Sequence, residues 1–189
     1  MIIKGRDKMT EDLTIDELWK AYPIEIKNPN PNWPNLYEKE RDNLKDIFEA
    51  RSYKIHHIGS TAVPNLKARD IIDILVEVPE NEDMNFLAFL LVKSGYKKML
   101  TEKSRISLNK GYREDGEEDQ IFHIHLRRTG DVDEIYFRNA LRKNPRMAKN
   151  YESLKEKLAE EFPESREDYI AGKSDFINKY TQMEKENFK

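Results

Sequence analysis

The sequence predicts an α/β fold, more narrowly α+β: a mixed sheet built from the middle of the chain, helices packed on it, and a helical C-terminal region. Three observations support this. The β-branched and aromatic runs YKIHHI, IIDILVEV, YKKML, SRISLN and QIFHIHLRR all fall between residues 53 and 128. On either side, apolar residues recur at three- and four-residue spacing, the period of a helix packed through one face. The 189 residues, 38% hydrophobic and 37% charged, suffice for one core beneath a heavily charged surface.

The expected organisation is a single domain, 1–189, with a disordered start (1–13), N-terminal helices (14–50), a sheet core (51–128) and C-terminal helices (131–187). Thr14 and Glu17 read as a capping box for a short helix that ends near Tyr22 and packs through Leu18 and Trp19. The proline- and asparagine-rich stretch 27–35 reads as an irregular connection. Pro34 suits a first helical position, and Trp33, Leu36, Tyr37, Leu44, Ile47 and Phe48 carry the helix to about residue 50.

YKIHHIGS and IIDILVEV read as two buried strands joined by a short crossover, with IIDILVEV inside the sheet beside YKIHHI and FHIHL. A helix over 83–94 closes at Gly95. SRISLN and QIFHIHLRR read as an antiparallel pair around the polar loop 110–119, which is expected to be mobile because it is rich in charge and lacks an aliphatic anchor. Helices are expected near 131–143, after Pro145, and from a cap at Ser165 with Asp168.

The 33 basic and 36 acidic residues leave a net charge of −3, so no global field favours nucleic acid, and any polyanion site must be local. With no cysteine, disulfides, thiol catalysis and cysteine-metal sites are excluded. No apolar run has the length of a signal peptide or of a bilayer span, so the expected location is the cytoplasm.

Three constellations carry chemistry. Gly59, Ser60 and Thr61 leave one strand, and Asp73 stands on the next. A glycine-serine turn brings backbone N–H groups and a hydroxyl close to an anion, while a strand carboxylate beside it can hold a divalent cation against that charge. An unpaired acid inside IIDILV would be costly, so it needs a partner, a metal or a function. All four histidines lie on two predicted strands: His123 and His125 share a face at roughly 6.7 Å spacing and can converge on one cation or phosphate. Of His56 and His57, which face opposite ways, His57 has the parity of Gly59 and is the one expected to join. Among the basic residues, Arg69 and Arg138 are the candidate phosphate forks. The bland alternative for each is a plain turn, a packed imidazole or a solvated surface cation.

The motifs NPNWPNLYEKER, HIGSTAVPNL, IIDILVEV, FHIHLRRTGDVDEIYFRNAL and SREDYIAGKSDFINKY, in this order from about residue 12 nearly to the C-terminus, resemble the GrpB family. The resemblance implies a nucleotidyltransferase-like fold, with Gly59 and Ser60 as the nucleotide-phosphate turn and Asp73 as the first metal-binding acid. The chain is also similar to a domain fused to some bacterial dephospho-coenzyme A kinases. Two positions depart from the pattern. Leu75 stands where an active nucleotidyltransferase has its second acid, and Glu77, roughly 13 Å along the strand, does not replace it. Asp70 stands where the family pattern has proline, and it is expected to face solvent.

The leading expectation is a transferase-like protein for a nucleotide or phosphorylated small molecule. A divalent metal, Mg²⁺ or Mn²⁺, would sit on Asp73 with His123 and His125; Gly59, Ser60 and Thr61 would position phosphate, and His57, Arg69 and Arg138 would assist. Leu75 supports the alternative of a catalytically inactive binding or regulatory module. A histidine-metal hydrolase unrelated to nucleotides, and a purely structural domain, are the other readings.

Overall fold

The computed structural model describes residues 22–49, 51, 53–112 and 118–187. The helix expected before Tyr22 and most of the loop after Tyr112 lie outside the described residues. In chain order the elements are α1 (Trp33–Ile47), β1 (Lys54–Ile58), a short 3₁₀ turn (Ser60–Ala62), β2 (Ile71–Val78), α2 (Met84–Lys93), β3 (Lys97–Thr101), β4 (Arg105–Tyr112), β5 (Glu118–Arg128), α3 (Asp133–Lys143), α4 (Pro145–Glu161) and α5 (Arg166–Glu186). Pro34 stands in the first turn of α1. Asp83 caps α2 by accepting from the Asn85 N–H at 2.8 Å, and Ser165 caps α5 by accepting from the Asp168 N–H.

The five strands form one mixed sheet in the order β1-β2-β5-β4-β3. The run IIDILVEV is interior, flanked by the two strands expected beside it. The join between β1 and β2 differs from expectation: they are antiparallel, with Ile58 opposite Asp73, so residues 59–70 are a reversal and not a crossover. The parallel neighbour of β2 is β5, in the register Asp73↔His123 and Leu75↔His125. β1 is therefore an edge strand, buried only at its second end. β4 and β5 are antiparallel as expected, and they reach further into the polar loop, with Tyr112 opposite Glu118.

Pleating separates two unlike faces. One is apolar: Ile72, Ile74, Val76 and Val78 of β2, Phe122, Ile124 and Leu126 of β5, and Ile106 and Leu108 of β4 pack on Trp33, Leu44, Phe48, Met84, Leu87 and Leu91 of α1 and α2. The other carries Asp73, Glu77, His123, His125, Arg127, Ser107 and Asn109, in register across three strands. The strand reads as continuously apolar because Ile71 and Leu75 also point to this second face, and Leu75 is fully buried.

The three C-terminal helices share an apolar cluster with the 59–70 reversal: Phe137, Leu141 and Tyr151 pack with Val63 and Leu66. Polar contacts fasten the same joint. Arg142 donates two hydrogen bonds to the Ala62 carbonyl at 2.8 and 2.6 Å, Glu152 accepts from the Lys67 N–H at 2.9 Å, and Lys67 pairs with Glu156 at 2.7 Å. The helical layer is thereby held beside the polar end of β2.

Candidate functional site

The centre of the polar face is Asp73. Its Oδ1 lies 3.2 Å from His123 Nδ1 and 3.5 Å from His125 Nε2, and the three residues offer ligand atoms all within 4.8 Å of one another. The parallel pairing of β2 with β5 produces this: Asp73 is level with His123, and the two-residue period carries His125 to the same face.

Gly59 is the other half of the turn, and no other residue fits there. Its φ of 69° lies in the region glycine favours, and a Cβ would stand 2.4 Å from Asp73 Oδ2. The Ser60 hydroxyl accepts from Lys155 Nζ at 3.1 Å and also bonds Tyr151. The Thr61 hydroxyl donates to the Ile71 carbonyl at 3.0 Å, tying the turn to the start of β2.

The hydrogen-bond network assigns the protons. Arg127 Nη2 donates to His125 Nδ1 at 3.2 Å, leaving Nε2–H to face Asp73. Tyr112 donates to His123 Nε2 at 2.9 Å, leaving Nδ1–H for Asp73. Burial opposes ionisation of Asp73, yet these histidine hydrogen bonds outweigh it and hold the carboxyl well below the usual carboxylate range. His123 stays neutral because burial pushes it down to about 4 against the pull of Asp73.

One acid oxygen and two imidazoles are a credible ligand set for a divalent cation. To serve as ligands, His123 must move its proton to Nε2, where the Tyr112 oxygen can accept it, and His125 must move its proton to Nδ1, where the Arg127 guanidinium has to withdraw before the Ser107 hydroxyl, 3.5 Å away, can accept it.

Asp73 and the histidines line a cavity of about 240 Å³ together with four cations: Arg69 from the reversal, Lys155 from α4, and Arg166 and Lys173 from α5. Among the described residues, Arg69, Lys155 and Lys173 form no ion pair. Burial lowers Lys155 to about 8. Burial, then the charge of Arg69, lowers Lys173 to about 7, and its ammonium sits 3.9 Å from the centre of the Tyr169 ring. A cluster of partly desolvated cations beside an ionised acid is a binding surface for an anion that brings a cation with it.

Two of the residues expected from the sequence to join the site lie elsewhere. His57 faces α1, on the opposite side of the sheet from Asp73: it stacks on Tyr37 with ring centres 4.7 Å apart and bonds Thr61 Oγ1 at 3.0 Å. Gly59 lies outside the strand with positive φ, so its parity says nothing about His57. His56 shares Asp73's face but pairs with Glu77 at 2.8 Å. Arg138 donates to the His57 carbonyl at 2.7 Å and does not line the cavity. Asp70 does not face solvent freely, since its Oδ1 accepts from the Trp33 indole at 2.6 Å. Gly59, Ser60, Thr61, Arg69, Asp73, His123 and His125 all line the cavity.

The cations missed from sequence are Lys155, Arg166 and Lys173. A signal existed for two of them: Lys155 falls between Tyr151 and Leu158, and Lys173 between Tyr169 and Ile177, at the three- and four-residue spacing of a buried stripe.

No described helix is long and apolar enough to cross a membrane. Among relatives, the Bacillus subtilis UPF0157 protein YqkA is 32% identical over 169 residues, 87% of this chain but only 48% of YqkA, so the chain spans about half of that relative. The match to a Mycolicibacterium paratuberculosis dephospho-CoA kinase is partial, 30% over 80 residues and 20% of that protein. A crystal structure of the conserved protein GrpB from Enterococcus faecalis superposes with a TM-score of 0.75 at 32% identity, over 87% of this chain and 99% of that one. The Cid1 poly(U) polymerase with MgGTP bound shares the fold more distantly, with a TM-score of 0.50 at 12% identity over 69% of this chain and 42% of that one. The GrpB protein family model matches residues 23–183, and with it the chain belongs to the GrpB family.

Proposed function

We propose that the cationic cavity binds the phosphates of a nucleotide, that Asp73 with His123 and His125 holds a divalent cation against them, and that the site serves transfer at phosphate. The observation that carries the reading is the gathering of an ionised acid, two imidazoles and the cations Arg69, Lys155, Arg166 and Lys173 in the lining of one small cavity. The nucleotidyltransferase-like fold supports it, since Cid1 is a polymerase of that fold with a bound MgGTP. Gly59 lets the chain pass close to Asp73, Ser60 and Lys155 present a hydroxyl and an ammonium to the anion, and the arginines take up its charge. A cation there would neutralise phosphate oxygens, and the imidazole content of the site favours Mn²⁺ or Zn²⁺ over Mg²⁺.

One observation favours a second reading, nucleotide binding without turnover. Leu75 is fully buried on the face of Asp73, where a two-cation transfer site would carry its second acid.

Calorimetric titration with ATP, GTP, CTP and UTP, with and without Mn²⁺, tests the proposal, and product analysis separates the two readings. Asp73→Asn should keep the fold while giving up the stability that the hydrogen bonds from His123 and His125 lend the ionised carboxylate. It should also remove the metal dependence of binding. Nucleotide affinity that is absent, or unchanged by this substitution, refutes the proposal.

A further inference from the structure

A second cavity of about 360 Å³ meets the first at a shared wall of Gly59, Asp73, His125 and Phe137, and is otherwise lined by different residues. Its character is different. In place of lysines it has Asp133 and Glu134 of α3, an apolar surface from Ile58, Phe137 and Ile177, and Asn178 and Thr181 of α5. Its arginine, Arg105, is already occupied by a two-bond pair with Asp131 at 2.8 and 2.6 Å, and Asp133 by Lys185.

Glu134 is the unusual member. Its Oε1 pairs with Arg127 at 3.1 Å, while its Oε2 is buried and has no hydrogen-bond partner. A buried carboxylate oxygen with both lone pairs idle is costly, and such a group calls for a donor. The same Arg127 donates to His125, so Glu134, Arg127, His125 and Asp73 form a continuous polar chain from this cavity to the centre of the site.

We propose that the second cavity is an acceptor subsite, taking a small amine- or hydroxyl-bearing molecule that donates to the Glu134 carboxylate, which lines the cavity and turns its idle Oε2 out to meet the donor, and that lays an apolar edge on Phe137 and Ile177. The inference rests on the reading of the cationic cavity as a nucleotide site. Transfer at phosphorus places the attacking and leaving groups on opposite sides of the reacting atom, and two distinct cavities that share Asp73 offer a place for each. With a nucleoside triphosphate, the acceptor oxygen or nitrogen bonds to the α-phosphorus and the bond from that atom to the polyphosphate breaks. Pyrophosphate departs into the cationic cavity, and the acceptor's proton passes to the Glu134 carboxylate. The volume is at the small end for ligand sites, and the acidic lining disfavours a polynucleotide end.

The test is an NMR titration of ¹⁵N-labelled protein, without nucleotide or metal, against glucosamine, ethanolamine, glucose and glycerol, with adenosine as the competing ligand. At least one amine or polyol should give saturable shifts at Ile177 and Asn178, weakened about tenfold in Glu134→Gln. Asn178→Trp, at an exposed rim position, should block the same shifts without touching Glu134, which guards against a Glu134 variant that misfolds. No saturable shift from any of the four, shifts insensitive to both substitutions, or shifts produced by adenosine alone would overturn the assignment. Because the titration uses no nucleotide, its outcome is separable from that of the ATP, GTP, CTP and UTP calorimetry.

Discussion

Replacing Lys173 with methionine probes the cationic cavity through stability and binding at once. Burial, then Arg69 and its neighbours, bring the Lys173 ammonium from its ordinary 10.5 to about 7. Unscreened, that drop corresponds to roughly 5 kcal/mol of charging cost; partial exposure of the side chain reduces the expected figure to about 2 kcal/mol. A lysine depressed in this way costs the folded state most below pH 7, where it must be charged, and nothing above about 10.5, where it is neutral in both states. Lys173→Met should therefore raise stability by about 2 kcal/mol at pH 7, a rise in melting temperature of about 6 °C, with the advantage fading as pH approaches 10.5. Binding should move the other way. A phosphate beside Lys173 restores its proton, so nucleotide binding at pH 8 takes up protons in the wild type, read by calorimetry in buffers of different ionisation heat, and this uptake should vanish in the variant. A variant less stable than wild type at pH 7, or one binding ATP with unchanged affinity and proton uptake, would refute the reasoning.

Two further outcomes follow from the geometry. Gly59→Ala puts a Cβ 2.4 Å from Asp73 Oδ2 at a φ of 69°, and should cost about 3 kcal/mol in urea unfolding; an unchanged midpoint would mean that the turn adapts freely. His57 and His123 are both held to about 4 against an ordinary 6.5, chiefly by burial. The unfolded chain therefore protonates first, and stability present above pH 6.5 should fall as pH drops toward 4, by roughly 3 kcal/mol for each histidine. A flat stability profile across that window would contradict the buried, neutral imidazoles.

The strand order around β2 and the meeting of Asp73 with His123 and His125 were legible in the sequence, because period-two alternation and a lone acid in an apolar run are local signals. What escaped was set by tertiary placement. YKIHHI does neighbour β2, but whether the pair runs parallel or antiparallel is written in neither strand, and the positive φ of Gly59 breaks the alternation from which the face of His57 would be read. Lys155, Arg166 and Lys173 lie in helices crowded with lysine and glutamate, so their burial emerges only once α4 and α5 dock on the reversal. Arg138 illustrates the converse, a cation that looks available in sequence and is spent on a carbonyl in the fold.

The separation of the two charge signs has a thermodynamic consequence. The acid and imidazoles belong to interior strands, while three of the four cations arrive on helices some eighty to a hundred residues away in sequence from Asp73. The cavity exists only while the helical layer is seated, so a ligand filling it works as a clamp whose free energy of binding adds to the free energy of docking. Hydrogen exchange offers the signature. Saturating ligand should slow the amides of α4 and α5 by nearly the full binding factor and leave the sheet interior, already exchanging only through global unfolding, to follow total stability. The end of the chain that looks most like an appendage in sequence would then be the part that senses occupancy.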